Sequence, residues 1–166
     1  MCRLQRLVAA ALVWISAAGC TLNYFTAPRL DLSQAVLTFE DNFDGTAVDE
    51  AKWRVVDQNL NANGAVNAYN PAMVSVSDGL LAIQVQRVPW MDKPYSGGEL
   101  DSLHRQTFQY GYFEARIKCP KGSGLHCSWW LWPDDNDWPP EIDIVEIRGN
   151  LPTQAMLTIH WQEPGA

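Results

Sequence analysis

The sequence is short of positive charge and has no long apolar run. It holds 12 lysines and arginines against 19 aspartates and glutamates, a formal net charge of −7. A protein that binds nucleic-acid phosphates needs a basic surface, so this composition argues against DNA or RNA as a partner. The apolar run at residues 7–15 is too short to span a bilayer as a helix.

Helical periodicity is also missing. After Phe39, short runs of alternating apolar and polar residues are separated by Gly, Pro, Asn and Asp, which is typical of strands and turns. Residues 80–86 and 112–118 show this alternation, and Ser77-Asp78-Gly79 predicts a tight turn before the first run. The Asn-rich residues 59–70 are predicted to form a loop. We therefore predict an all-β chain built as an antiparallel β-sandwich.

The N-terminal residues have the composition of an export signal. Arg3 and Arg6 precede the apolar run at 7–15, and small residues occupy positions 16–19. A charged segment, a short apolar segment and a small-residue cleavage site together predict a signal peptide over residues 1–19. Its removal would change the formal net charge from −7 to −9, because it contains two arginines and no acid.

The residue after that segment suggests how the exported protein is held. Cys20 ends an Ala-Ala-Gly-Cys string like that of bacterial lipoproteins, in which this cysteine carries the lipid. Ala17 stands where leucine is usual, so ordinary secretion is the alternative. We predict a tether over residues 20–38 and a folded domain over 39–166. The protein is then expected in the bacterial periplasm or on the cell surface, with a lipid anchor as its one link to the membrane.

Two cysteines remain in the predicted domain. Cys119 and Cys127 flank the turn-forming residues 120–124. An exported protein can form disulfides, and a bridge across two adjacent strand ends is geometrically reasonable. Two free thiols are an equally good interpretation of the same pattern.

Residues 138–147 carry three acids within six positions, set among isoleucine and valine. In a regular strand, Glu141 and Asp143 share one face and Glu146 lies on the other, among isoleucines. A lone carboxylate is costly in such a place. A β-bulge after Asp143 adds one residue, returns Glu146 to the face of Glu141 and moves Val145 to the apolar face. We predict this bulge and one cleft lined by all three acids.

Three acids on one face suit the hydrolysis of a glycosidic bond with retention. That reaction uses two carboxyl groups roughly 5–5.5 Å apart, one as nucleophile and one as acid/base. A third acid between them can keep their protonation states different. The alternative is a half-buried strand whose acids merely face water.

The string also resembles the active-site signature of glycoside hydrolase family 16, the laminarinase-like β-glucanases. This resemblance implies a concanavalin A-like jelly roll with the cleft on its concave sheet, Glu141 as nucleophile, Asp143 as its assistant and Glu146 as acid/base. The family's six-residue string contains the bulge, whereas its lichenase branch has a shorter string without it. Further segments resemble strands of the family: residues 39–45 with Lys52-Trp53 its opening strand, 110–118 its long central strand, 129–132 the strand before the catalytic one, and 158–161 the strand after it.

Eight tryptophans are a high number for 166 residues and suggest stacking surfaces as well as core. Because sugar rings stack on indoles, and the family uses these positions for substrate, we predict substrate contacts for Trp130 and Trp138. Trp129 and Trp132 alternate differently and fit the core or the outer face equally well. His160 lies on the next predicted strand, where it can hydrogen-bond Asp143 or the nucleophile.

Two departures from the family pattern stand out. His126-Cys127 replaces a Trp-Pro pair, and the sequence stops at Ala166, where the family's domain continues with further strands. We therefore expect a sandwich that is incomplete at its C-terminus, with weak stability.

The predicted function is endo-hydrolysis of a β-1,3- or β-1,3/1,4-glucan by a monomer that needs no cofactor. A β-galactan such as agar or carrageenan is the nearest alternative substrate, since the same string serves both. A glucan-binding sandwich without catalysis is a further alternative. We predict no catalytic metal, because the acid string is a strand and calcium sites use flexible oxygen-rich loops. A structural calcium ion is allowed only by the family resemblance.

Overall fold

The computed structural model describes residues 30–60, 64–135 and 137–163. Contacts divide the chain into two units, Met1–Phe39 and Glu40–Ala166. The predicted signal peptide and Cys20 lie outside the described residues, so export and lipidation stay predictions. Within the described part, no helix has the length and apolar character needed to cross a membrane.

The regular secondary structure of the second unit consists mainly of short strands. Its described residues form eleven strands, one 3-10 turn at Pro71–Met73 and no α-helix. The strands are β1 (Arg54–Val55), β2 (Gln58–Asn59), β3 (Asn67–Tyr69), β4 (Val74–Ser77), β5 (Leu80–Ile83), β6 (Val85–Gln86), β7 (Tyr95–Gly97), β8 (Leu100–Asp101), β9 (His126–Leu131), β10 (Glu141–Arg148) and β11 (Met156–His160).

These strands pair in four groups. β11, β10 and β9 form a three-stranded sheet in that order, and β2, β3, β7 and β6 form a four-stranded one. β1 pairs with β8, and β4 pairs with β5. All pairs are antiparallel except β3 with β7. The predicted all-β, mainly antiparallel character is confirmed.

The hairpin of β4 and β5 follows the sequence closely. Ser77 pairs with Leu80, so Asp78 and Gly79 alone make the turn. Both have positive φ, 54° and 72°, which is the geometry that matches the twist of a two-residue hairpin. Glycine adopts it without strain, and aspartate is among the few other residues that tolerate it. The predicted tight turn is confirmed.

Two predicted strands are not present. Residues 39–45 form none, because Asp41 accepts hydrogen bonds from the Phe43 backbone N–H and from Trp53 Nε1, each at 2.8 Å. These bonds turn the chain, and Phe43 has φ of 55°. Residues 112–118 also form no strand. Tyr112 and Ile117 are exposed, and no described strand pairs with this segment, so alternation alone does not make it a strand.

The predicted loop at 59–70 is wrong at both ends, since Asn59 already belongs to β2. Residues 67–69 form β3, which lies between β2 and β7. Two neighbours supply backbone partners to a segment whose composition favours turns, so tertiary pairing overrides local preference.

The core of the unit is small. Its buried apolar side chains, among the described residues, are Val56, Ala68, Met73 and Val76. Beside them Ser96 is fully buried, and its hydroxyl donates to Val88 O at 2.7 Å and accepts from Asn70 Nδ2 at 3.2 Å. This polar group is buried at little cost because both of its hydrogen-bonding roles are filled.

Candidate active site

The acids of β10 are arranged by a break in its pairing with β9. Trp130 lies opposite Asp143 and Ser128 lies opposite Glu146, with a register shift between Asp143 and Val145. Side chains two positions apart on a strand share a face, and so do directly paired residues of neighbouring strands. Asp143 and Glu146 therefore point to the same side, although three positions separate them.

The other neighbour, β11, gives the same result. His160, Thr158 and Met156 alternate along one face and pair with Glu141, Asp143 and Glu146, respectively. This register also shifts between Asp143 and Glu146. The predicted bulge is thus confirmed from both sides, and we call the side that carries these three acids the acid face.

The opposite side of the same sheet is apolar. Val145 is on this side, as predicted, where it lies opposite Trp129, and Ile142 lies between Leu131 and Ile159. We call this side the apolar face. The extra residue of the bulge is Ile144, which has no partner in either register. One additional residue thus keeps acids and apolar side chains on separate faces.

The first two acids form a compact cluster with the predicted histidine. His160 Nε2 lies 3.1 Å from Asp143 Oδ2, and Trp138 Nε1 donates to Glu141 Oε2 at 2.8 Å. One oxygen of each acid and one ring nitrogen of His160 all lie within 4.8 Å of one another. Of the two partners predicted for His160, Asp143 or the nucleophile, the structure shows the contact with Asp143.

Asp143 is the most enclosed of these acids, with only 6% of its surface exposed. An enclosed carboxylate needs hydrogen-bond donors to replace lost water. His160 from β11 supplies one, so the cluster needs β10 and β11 to be in register. Asp143 and His160 fix each other's orientation, so the Asp143 carboxylate keeps a defined position beside the other acids of this face.

Glu146 has a partner that the sequence reasoning did not predict for it. His126 Nε2 lies 3.0 Å from Glu146 Oε1. His126 begins β9 and is two positions from Ser128, which is opposite Glu146, so the imidazole reaches it diagonally. The sequence showed only that a histidine replaces the family's tryptophan at position 126. Which residue this histidine contacts depends on the register of β9 and β10.

The two tryptophans predicted to bind substrate have different surroundings. Trp130 is on the acid face, directly opposite Asp143. Trp138 precedes β10, is half exposed, and has its ring centre 5.8 Å from that of His160. Trp129 lies on the apolar face and Trp132 is exposed. Both predicted residues are thus next to the acids, and their contact with substrate stays a prediction.

The two cysteines of the domain are free thiols, each partly buried. Burial and a hydrogen bond with the Cys119 side chain raise the pKa of Cys127 to about 12. A thiol with such a pKa is a poor nucleophile near neutral pH. The two thiols are neighbours. A disulfide between them under oxidising conditions stays a prediction.

Comparison with known proteins agrees with this geometry. Residues 49–166 match the profile of glycosyl hydrolases family 16. The chain belongs to this family.

Similar proteins include an endo-1,3-1,4-beta-glycanase, EglC, of Rhizobium meliloti, which is 32% identical over 82% of this chain and 35% of its own length. Beta-porphyranase E of Zobellia galactanivorans is 35% identical over 70% of this chain and 43% of its own. Among solved structures, the laminarinase from Rhodothermus marinus superimposes with a TM-score of 0.69 and 28% identity, covering 75% of this chain and 54% of that one. The chain thus spans about a third to a half of the length of these relatives, and its fold is a β-sandwich like theirs.

Proposed function

We propose that this chain forms the catalytic strands of an enzyme that cleaves internal bonds of a β-1,3- or β-1,3/1,4-glucan with retention. The observation that carries the proposal is the bulged β10, which turns Glu141, Asp143 and Glu146 to one face. The similarity to EglC and to the R. marinus laminarinase supports a glucan as substrate.

In the first half of the proposed reaction, a Glu141 oxygen attacks the anomeric carbon as the glycosidic C–O bond breaks. Protonated Glu146 gives its proton to the departing oxygen. A covalent glycosyl ester on Glu141 results. In the second half, Glu146 takes a proton from water, which attacks the same carbon and releases Glu141, so the anomeric configuration is retained.

The remaining groups orient the nucleophile. The indole N–H of Trp138 holds Oε2 of Glu141, which leaves Oε1 for attack. Asp143 lies between the two glutamates on the acid face and is itself held by His160. We propose that the Asp143–His160 pair tunes the charge around Glu141, and that the rings of Trp130 and Trp138 stack on the sugar.

The test compares isosteric variants of the full chain. Glu141→Gln and Glu146→Gln are each expected to lower the release of reducing ends from laminarin, Glu141→Gln by more than about 10⁴-fold. Glu163→Gln, an exposed glutamate outside the strands, is the matched control and should leave turnover unchanged. Near-normal turnover by Glu141→Gln would show that the assigned roles are wrong.

A galactan is the second candidate substrate, because the porphyranase relative is 35% identical over 70% of this chain, against 32% over 82% for EglC. A panel of laminarin, mixed-linkage glucan, agarose, carrageenan and porphyran separates the two. Release of reducing ends from the glucans alone supports the first proposal. Binding to laminarin without any release favours a carbohydrate-binding sandwich.

We also propose that the protein works outside the cytoplasm as a monomer, anchored through Cys20 and without a cofactor. Labelling with a radioactive fatty acid, compared between the wild type and Cys20→Ser, tests the anchor. A structural calcium ion is tested by thermal unfolding with and without a chelator.

A further inference from the structure

The acid face holds two pairs of the same kind. The chain has three histidines, and two of them contact acids of β10. His160 reaches Asp143 from β11, and His126 reaches Glu146 from β9, at 3.1 and 3.0 Å. The proposed mechanism uses the first pair and leaves the second without a role.

The position of His126 is well defined. Its preceding residue, Leu125, accepts a hydrogen bond from the Gly149 N–H at 2.7 Å, and Gly122 N–H donates to Gly149 O at 2.9 Å. These bonds hold the start of β9 against the end of β10. A Cβ added to Gly149 would lie 2.3 Å from Gly122 O, so the approach requires glycine there. The backbone that leads into His126 is therefore held in place by hydrogen bonds to Gly149, directly after β10.

The charged groups on this face, within the described residues, can be assigned from the register. Glu141, Asp143 and Arg148 lie on β10, and His160 lies on β11. His160 is engaged with Asp143, and Trp138 donates to Glu141. Glu146 is contacted instead by His126, whose Nε2 lies within hydrogen-bonding distance of its carboxyl group.

We propose that His126 is a positioning residue for the acid/base Glu146. This inference rests on the proposed function. With the proton of His126 assigned to Nε2, that N–H donates to Oε1 of Glu146 and leaves Oε2 to carry the catalytic proton. Oε1 accepts this bond whether Oε2 is protonated or not. The carboxyl group therefore keeps one orientation while its other oxygen donates a proton in one half-reaction and takes it back in the next.

A kinetic test separates this role from a merely structural one. Two aryl glycosides of one glucan oligosaccharide are compared, one with a methoxyphenol leaving group and one with 2,4-dinitrophenol. The second departs as a stable anion and gains little from proton donation. His126→Leu should lower kcat/KM for the methoxyphenyl substrate by about 10- to 100-fold, the scale of a lost hydrogen bond to a group that becomes charged as it gives up its proton. The kcat/KM of His126→Leu for the dinitrophenyl substrate should change little.

Two further variants complete the set. His126→Gln keeps an N–H donor and should recover part of the loss. His104→Gln changes the third histidine, which is exposed in a turn and belongs to none of the strands β9–β11, and should behave as wild type. An equal loss on both substrates, or no loss on either, would overturn the proposal. If Glu146→Gln itself hydrolyses the methoxyphenyl substrate normally, the proposed function is wrong and not only this inference.

A second measurement does not depend on turnover. In the ¹⁵N-labelled chain, the His126 ring signals are assigned by their loss in His126→Gln. The Nε2 signal should move in Glu146→Gln and stay in place in the Glu163→Gln control. A signal that does not respond to Glu146→Gln would show that the contact is absent, and the positioning role would be rejected.

Discussion

The site sheet, β9–β11, and the small core around Met73 are built in opposite ways. In the core, the buried side chains are mostly apolar: Val56, Ala68, Met73 and Val76. In the site sheet, the buried side chain is an acid, Asp143, at 6% exposure. Apolar residues on the other face of the same sheet are exposed, Leu157 to 75% and Ile159 to 68%.

This difference shows which forces act in each region. The core is stabilised by removing apolar surface from water, which is sensitive to side-chain volume. The acid face depends on directional bonds from His126, Trp138 and His160, which are sensitive to strand register. We therefore expect changes of volume to affect stability and changes of register to affect chemistry.

The largest effect is expected from deletions in the bulge. Without Ile144 and Val145, Glu146 follows Asp143 directly, lies opposite Trp129 and joins the apolar face. Loss of the acid/base should lower hydrolysis of laminarin by roughly 10²–10⁴-fold. The assay is reducing-end release, alongside a thermal unfolding curve that establishes that the variant is folded.

Deletion of Ile144 alone is the matched control. The strand then becomes regular, Val145 stays opposite Trp129 and Glu146 stays opposite Ser128. The acid keeps its face and shifts only in position, so this deletion should lose less activity than the double deletion does. If both deletions were equally inactive, the face of Glu146 would not be what controls the activity.

The next effect concerns the core. Met73→Ala should lower the free energy of unfolding by roughly 2–5 kcal/mol, because it leaves a cavity among buried residues. Leu157→Ala makes a similar truncation at an exposed position and should change the free energy of unfolding by less than about 0.5 kcal/mol. Denaturant titration measures both. A larger loss from Leu157→Ala would show that the apolar face is covered in solution.

The smallest effect is a dependence of stability on pH. Burial raises the pKa of Glu99 above its ordinary value of 4.5, while a hydrogen bond from Tyr69 partly opposes the shift. A raised pKa means that the folded chain binds this proton more tightly than the unfolded chain. The stabilisation is complete below pH 4.5 and is lost as the pH rises through the folded pKa.

Glu99→Gln removes this titration and keeps an acceptor for Tyr69. Relative to the wild type, the variant should therefore gain stability as the pH rises from 4 to 7. Unfolding curves at several pH values measure the difference, with Glu163→Gln as the exposed control. A constant difference across this range would contradict the assigned shift.

Much of the site could be predicted from local sequence. The alternation in residues 141–147 and the cost of a carboxylate among isoleucines together required a bulge, and both neighbouring strands show it. The Asp78-Gly79 turn was predictable for a similar reason, and so was the position of His160 near the acids, although not which of them it contacts. In each case the determining interaction lies within a few residues or between adjacent strands.

Other features were decided by tertiary structure. Residues 112–118 alternate as a strand does, but no described strand pairs with them, whereas residues 67–69 resemble a loop yet pair with strands on both sides. The contact of His126 with Glu146 depends on which residues of β9 and β10 lie opposite each other. The sequence by itself determined which residues are acids and which face they share, because alternation and desolvation act locally. Only the fold decided which strands pair and which imidazole meets which acid, because backbone hydrogen bonds join residues far apart in the chain.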